Sequence, residues 1–219
     1  MYKGDNKMDD QEIISVIKKE KICSIIRGVE EEKIDKVAHA LVKGGIKVVE
    51  VTFNTAGASN MISYMTKNYR EDFLIGAGTV LDTETAKIAI DAGAKFVLAP
   101  TLNIEVIKLC LRYNVLPVPG VATATEALMA WENGARMIKV FPAGVLGANY
   151  IKQLKGPLSQ LSIMAVGAIN KDSVQEMLNA GADSVGIGSE IVDRNRLENN
   201  DFESIVEKAK GIKSELEKT

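Results

Sequence analysis

Four joints in this sequence share one grammar. "GGIKVVEVT", "AGAKFVLAP", "NGARMIKVF" and "AGADSVGIG" each run from a glycine through two linking residues into a short apolar segment. The glycines are Gly45, Gly93, Gly134 and Gly181. Each sits where a helix ends and a strand is about to begin, a place that favours a left-handed residue. "YNVLPVPGV" fits the same grammar with Asn114 in the glycine place, since asparagine tolerates that conformation. The successive gaps are 48, 21, 20 and 47 residues. Units of about 20 to 24 residues explain them if each long gap hides one further unit. Eight units result.

The segments between joints agree. Short Val- and Ile-rich runs predict strands over 22–29, 48–53, 73–80, 96–100, 115–121, 137–141, 163–169 and 184–187. Helical spacing marks 31–43, with Ile34, Val37, Ala38, Leu41 and Val42 on one face. It also marks 83–92, 104–113, 125–133 and 171–180, several opening on a cap residue: Asp82, Asn103, Thr123 or Asn170. Further helices are expected near 11–20 and 201–218. Eight strand–helix repeats in about 200 residues predict a (β/α)8 TIM barrel with an extra N-terminal helix. We expect one barrel domain over 1–219. It comprises an N-terminal segment and helix at 1–20, the strands and their helices over 22–189, and a C-terminal helix. The rival is a doubly wound open sheet with the same local grammar. No G-x-G-x-x-G follows the first strand to favour it, and "GAG" at 76–78 and "GIG" at 186–188 are weak signals alone.

Charge is nearly balanced, 27 Lys and Arg against 29 Asp and Glu, so no global field for nucleic acid or membrane is implied. The two cysteines, Cys23 and Cys110, form no CxxC or Cys/His cluster and read as buried residues of a reducing compartment. The opening "MYKGDNKMDDQE" has no apolar signal region, and no run approaches the roughly 18 apolar residues of a membrane span. A soluble cytoplasmic protein is the expectation.

The register then isolates two charges. Counting from the joint glycines, the fifth residue is Glu50, Leu98, Lys139 or Gly186, and the seventh is Thr52, Pro100, Phe141 or Gly188. Alternation puts these on one face and Val49, Val51, Ile138 and Val140 on the other. If the valines and isoleucine pack on the helices, Glu50 and Lys139 face the barrel interior, on the second and sixth strands. Both lie toward the strand ends where barrel active sites form. A structural ion pair is the plain alternative, though buried pairs stabilise poorly against apolar replacements. Desolvation favours the neutral amine of a lysine, which can then attack a ketone or aldehyde to form a Schiff base. A nearby carboxylate would serve as general acid and base. This pair points to carbonyl chemistry without a metal.

His39, the only histidine, falls within a predicted helix, so a Ser-His-Asp triad is disfavoured and a multi-histidine metal site is excluded by count. The joints "AVGAIN" and "GIGSE" after the last two strands are glycine-rich. Loops there form the common phosphate site of such barrels, which nominates Gly167, Ala168, Gly188 and Ser189. Arg27, near the end of the first strand, is a candidate counter-charge.

The blocks "IIRGV", "GGIKVVEVTFNT", "LIGAGTV", "FVLAPTL", "VLPVPGVAT" and "MIKVFPAG" occur in that order. Together they resemble the 2-keto-3-deoxy-6-phosphogluconate (KDPG) aldolases, which include the 2-keto-4-hydroxyglutarate (KHG) aldolases. The resemblance runs from about residue 22 to 189. It implies a class I aldolase with no metal or organic cofactor, usually a homotrimer, in which Lys139 forms the Schiff base and Glu50 moves the protons. It implies that Thr79 and Pro100 line the pyruvyl pocket and Phe141 packs beside the imine. Arg27, Gly167, Ala168 and Ser189 would hold the phosphate end. The products would be pyruvate and glyceraldehyde 3-phosphate.

The chain departs from the pattern in four places. Asn54 stands where an arginine usually holds the pyruvate carboxylate; an amide offers a hydrogen bond without charge or fork. Gly144 replaces an acidic residue, Thr101 a common glycine, and Val166-Gly167-Ala168 the usual Thr-Gly-Gly. Two alternatives follow: cleavage of 4-hydroxy-2-oxoglutarate or a related keto acid, and a non-catalytic barrel that binds phosphosugars.

Overall fold

The computed structural model describes residues 8–216; residues 1–7, in the expected N-terminal segment, and 217–219, on which the end of the helix expected at 201–218 falls, lie outside it. Nine parallel strands form the sheet: β1 Ile22–Ile26, β2 Val48–Thr52, β3 Leu74–Gly78, β4 Phe96–Leu98, β5 Leu116–Val118, β6 Gly120–Val121, β7 Met137–Val140, β8 Ser162–Val166 and β9 Ser184–Ile187. They pair in the order β5-β4-β3-β2-β1-β9-β8-β7-β6. β5 and β6 are two halves of the one run expected over 115–121. Pro119 divides them, because its nitrogen cannot donate to a ladder. β5 pairs with β4 on one side and β6 with β7 on the other. The Pro119 carbonyl accepts the Lys139 N–H at 2.8 Å. The ring of eight barrel strands thus closes through this run.

Helices lie between the strands, as a parallel barrel requires. The joint residues take the left-handed backbone expected of them: φ is 77° at Gly45, 100° at Gly93, 54° at Asn114, 99° at Gly134 and 107° at Gly181. Asp82, Asn103 and Thr123 cap their helices through side-chain acceptors. Asn170 instead accepts from Asp172 and Ser173, so the helix expected from 171 begins at Val174.

Two helices fill the long gaps between joints, Ala58–Asn68 and Ala148–Lys155. Neither ends in a positive-φ glycine joint, so the repeat grammar does not show them. Strands also stop earlier than their apolar runs. Left-handed residues Gly28, Thr79 and Gly167 turn the chain away just beyond β1, β3 and β8.

Side chains divide into two apolar layers. Val49, Val51, Ile138 and Val140 pack outward with helix residues such as Ile34 and Leu41. Cys23, Val48, Leu74, Phe96, Leu116, Met137 and Met164 fill the barrel interior. Ile13, Ile14 and Ile17 of the N-terminal helix Asp10–Glu20 join that inner layer. This helix closes the end of the barrel where the strands begin, and leaves the other end for chemistry.

Candidate active site

Glu50 is the third residue of β2 and Lys139 the third of β7. Their neighbours Val49, Val51, Ile138 and Val140 belong to the outer layer, so both charges face inward as the register required. Glu50 is 1% exposed and Lys139 3%. Neither Glu50 carboxyl oxygen has a hydrogen-bond partner among the described residues. Burial pushes the Glu50 carboxyl above its ordinary range, while the nearby cations Lys139 and Arg27 pull it back. A carboxyl held in this way takes up and releases a proton closer to neutral pH than an exposed one.

Gly78 makes room for this group and Gly76 for the ring of Phe96. A Cβ at Gly78 would collide with the Glu50 carboxyl, and one at Gly76 with the ring of Phe96. The "GAG" segment is therefore a wall of close packing on β3. The two cysteines are spectators: burial raises the Cys23 thiol well above its usual range and Cys110 to about 12.

The Lys139 Nζ lies 5.1 Å from the centre of the Phe141 ring. Beyond it opens a cleft of about 590 Å3, which also reaches Arg27, Gly167, Ala168, Gly188 and Ser189. The loops after β1, β7, β8 and β9 thus meet at one place. The remaining candidates lie on turns beyond β2, β3 and β4. Asn54 is exposed on the turn after β2, Thr79 follows β3 with φ of 55°, and Pro100 lies two residues beyond β4. None of these three lines the cleft, nor does Glu50.

The structure adds residues that the sequence pattern did not single out. Thr55, 7% exposed, accepts the Gly28 N–H at 2.9 Å and lies 3.1 Å from the Thr52 hydroxyl. It ties the loop carrying Arg27 to the turn carrying Asn54. Arg194, Asp193 and Glu190 line the outer cleft. Their positions depend on how the chain folds back after β9, which no local motif announces. Among the described residues, no group of three His, Cys, Asp or Glu side chains is placed to hold a metal ion. No helix there is long and apolar enough to cross a membrane.

Comparison with known families is decisive. The sequence matches the KDPG and KHG aldolases from residue 13 to 208. The chain belongs to this aldolase family. Its members are carbon–carbon lyases, and their barrel is the fold found here. The chain is 35% identical to a 2-dehydro-3-deoxy-phosphogluconate aldolase of Haemophilus influenzae, over 89% of this chain and 92% of the relative. It is 33% identical to a 2-dehydro-3-deoxy-6-phosphogalactonate aldolase of Escherichia coli, over 78% and 83%. A KDPG aldolase from Legionella pneumophila, solved with pyruvate captured as a covalent carbinolamine, superposes with a TM-score of 0.86 at 28% identity, covering 91% of this chain and 97% of that one.

Proposed function

We propose that this aldolase cleaves KDPG to pyruvate and glyceraldehyde 3-phosphate through an imine on Lys139. The observation that carries the reading is the buried, inward pair: the Lys139 amine on the cleft and the unbonded Glu50 carboxyl, near enough in the barrel interior to feel its charge. The amine adds to the C2 ketone of the substrate, and loss of water gives the imine. Glu50 takes the C4 hydroxyl proton, directly or through a water. The C3–C4 electron pair moves into the imine as the aldehyde leaves. The resulting enamine is protonated at C3, with Glu50 returning the proton, and hydrolysis frees pyruvate and the amine. All the electrons stay within substrate and imine, so no organic cofactor or metal enters the scheme.

Thr79, Pro100 and Phe141 are assigned to the pyruvyl end, and Asn54 to a neutral hydrogen bond with the carboxylate. Arg27, Gly167, Ala168, Gly188 and Ser189 are assigned to the phosphate. The assembly is read as a homotrimer; exposed Leu81, Ile88, Leu128 and Met129 supply apolar surface for subunit contacts. The setting is read as cytoplasmic.

Borohydride reduction in the presence of pyruvate tests the mechanism. A stable adduct on Lys139 is expected, together with loss of turnover in a folded Lys139→Ala variant. Saturating pyruvate with no adduct would rule out the imine; tight phosphosugar binding with no pyruvate release would then favour a non-catalytic barrel. A second reading keeps the chemistry but takes the C4 epimer, 2-keto-3-deoxy-6-phosphogalactonate, and the Escherichia coli relative supports it. A third takes unphosphorylated 4-hydroxy-2-oxoglutarate. Comparing kcat/KM for the three substrates decides among them.

A further inference from the structure

Gly144 has no conformational reason to be glycine. It sits in the short helix Ala143–Leu146 and is absent from the positive-φ residues. Its reason is contact. A Cβ there would lie 2.7 Å from the Gly167 carbonyl oxygen, 2.9 Å from Ala168 Cβ and 3.0 Å from the Ala168 carbonyl oxygen. The Gly144 N–H donates to that same Gly167 carbonyl at 2.8 Å. On the other side, a Cβ at Gly167 would lie 3.2 Å from the Phe141 ring and from Pro142 Cα. The turn that follows β7 and the loop that follows β8 are therefore interlocked backbone to backbone.

The loop is held in an uncommon shape. Gly167 has φ of 104° and Ala168 φ of 54°, and a left-handed alanine persists only where its surroundings enforce it. Gly144 holds one end. At the other, the Asn170 N–H donates to the Ser173 hydroxyl at 3.1 Å. Between them, the N–H groups of Ala168 and Ile169 enter no backbone hydrogen bond among the described residues. Gly167, Ala168 and Ile169 all line the cleft.

We propose that Gly144 is a positioning residue for substrate specificity. Its missing side chain lets the 167–169 loop close onto the turn leading from Lys139, and this fixes the loop's free N–H groups where the phosphate of the substrate is bound. The inference rests on the phosphorylated-substrate reading above. It couples the grip on the distal phosphate to the strand that carries the amine, through two loops and no charged side chain.

The test compares wild type, Gly144→Ala and Gly144→Ala/Ala168→Gly. Substrates are the better of the two phosphorylated epimers and unphosphorylated 4-hydroxy-2-oxoglutarate, with borohydride trapping of pyruvate alongside. Gly144→Ala is expected to raise KM for the phosphorylated substrate about tenfold, the scale of one weakened charge-assisted hydrogen bond, with kcat, trapping and the other KM within about twofold. The double variant removes the Ala168 Cβ contact, so it recovers part of the rise and gives the loop room should the single variant fail to fold. The Gly167 contact remains, so its KM still exceeds that of wild type. A wild-type KM in either folded variant overturns the proposal. So does an equal rise for both substrates, which marks general damage. A wild-type enzyme with no preference for the phosphorylated substrate overturns the substrate reading, and this inference with it.

Discussion

Glu50 shows how burial sets both chemistry and stability at a single residue. Its carboxyl is raised chiefly by desolvation, and Lys139 and Arg27 only partly offset that. In an unfolded chain a glutamate titrates near about 4.3. The folded state therefore holds this proton more tightly than the unfolded state. The associated stability is complete below the unfolded value and is lost as pH rises through the folded value. Glu50→Gln should match wild type in Tm near pH 4 and exceed it at pH 8, with the gap widening between. Calorimetry across that range checks this; a gap independent of pH would mean burial is not the cause. The same variant should lose about 10²- to 10⁴-fold in kcat, the usual worth of a general acid–base group. Thr55 makes a different residue-scale case. Thr55→Val keeps the shape but removes the acceptor of the Gly28 N–H. Its expected effect is a loss of about 1 kcal/mol in stability, measured by urea denaturation, with a raised KM as the Arg27 loop loosens.

At the scale of elements, the two ends of the barrel separate their tasks. The N-terminal helix buries Ile13, Ile14 and Ile17 against the inner layer, each to under 5% exposure. Ile17→Ala should cost about 2–5 kcal/mol, the range for truncating a buried isoleucine. Because this end lies away from the cleft, kcat per folded molecule should be unchanged below the shifted Tm. Trapping with pyruvate and borohydride counts the folded, competent sites. A kcat loss at full trapping would show that the plug reaches the site mechanically. The opposite end is built from turns rather than packing. Left-handed residues at 28, 79, 167 and 168 turn the chain away from the strands there, and Gly28, Gly167 and Ala168 line the cleft.

For the molecule as a whole, the cleft joins cations from distant parts of the chain. Arg27, Lys139 and Arg194 line it, while Glu190 pairs with Lys208, Asp193 with Arg196 and Arg194 with Glu198. With both acids and Arg194 paired, Arg27 and Lys139 leave the field presented to an incoming substrate positive. KM for a phosphorylated substrate should therefore rise as ionic strength passes about 0.15 M, where screening acts within about 8 Å. KM for 4-hydroxy-2-oxoglutarate should rise less. Steady-state kinetics in a salt series checks the difference; parallel curves would place the phosphate away from these cations.

The repeat of joints determined the barrel without help from the structure. A residue that must be left-handed at each helix end is a local requirement, and local requirements are written in local sequence. The period-two alternation likewise put Glu50 and Lys139 inside before any contact was known. The two helices of the long gaps were hidden because their ends carry no such residue. The break at Pro119 interrupts what the apolar run 115–121 presented as one strand, and only the pairing of β5 and β6 with different partners made it the closure point of the ring. The reason for Gly144 was not legible at all. It is a glycine because another loop, more than twenty residues away, packs its backbone against it. Close approach between distant segments is a property of tertiary packing, and only the folded chain decides which position must give up its side chain.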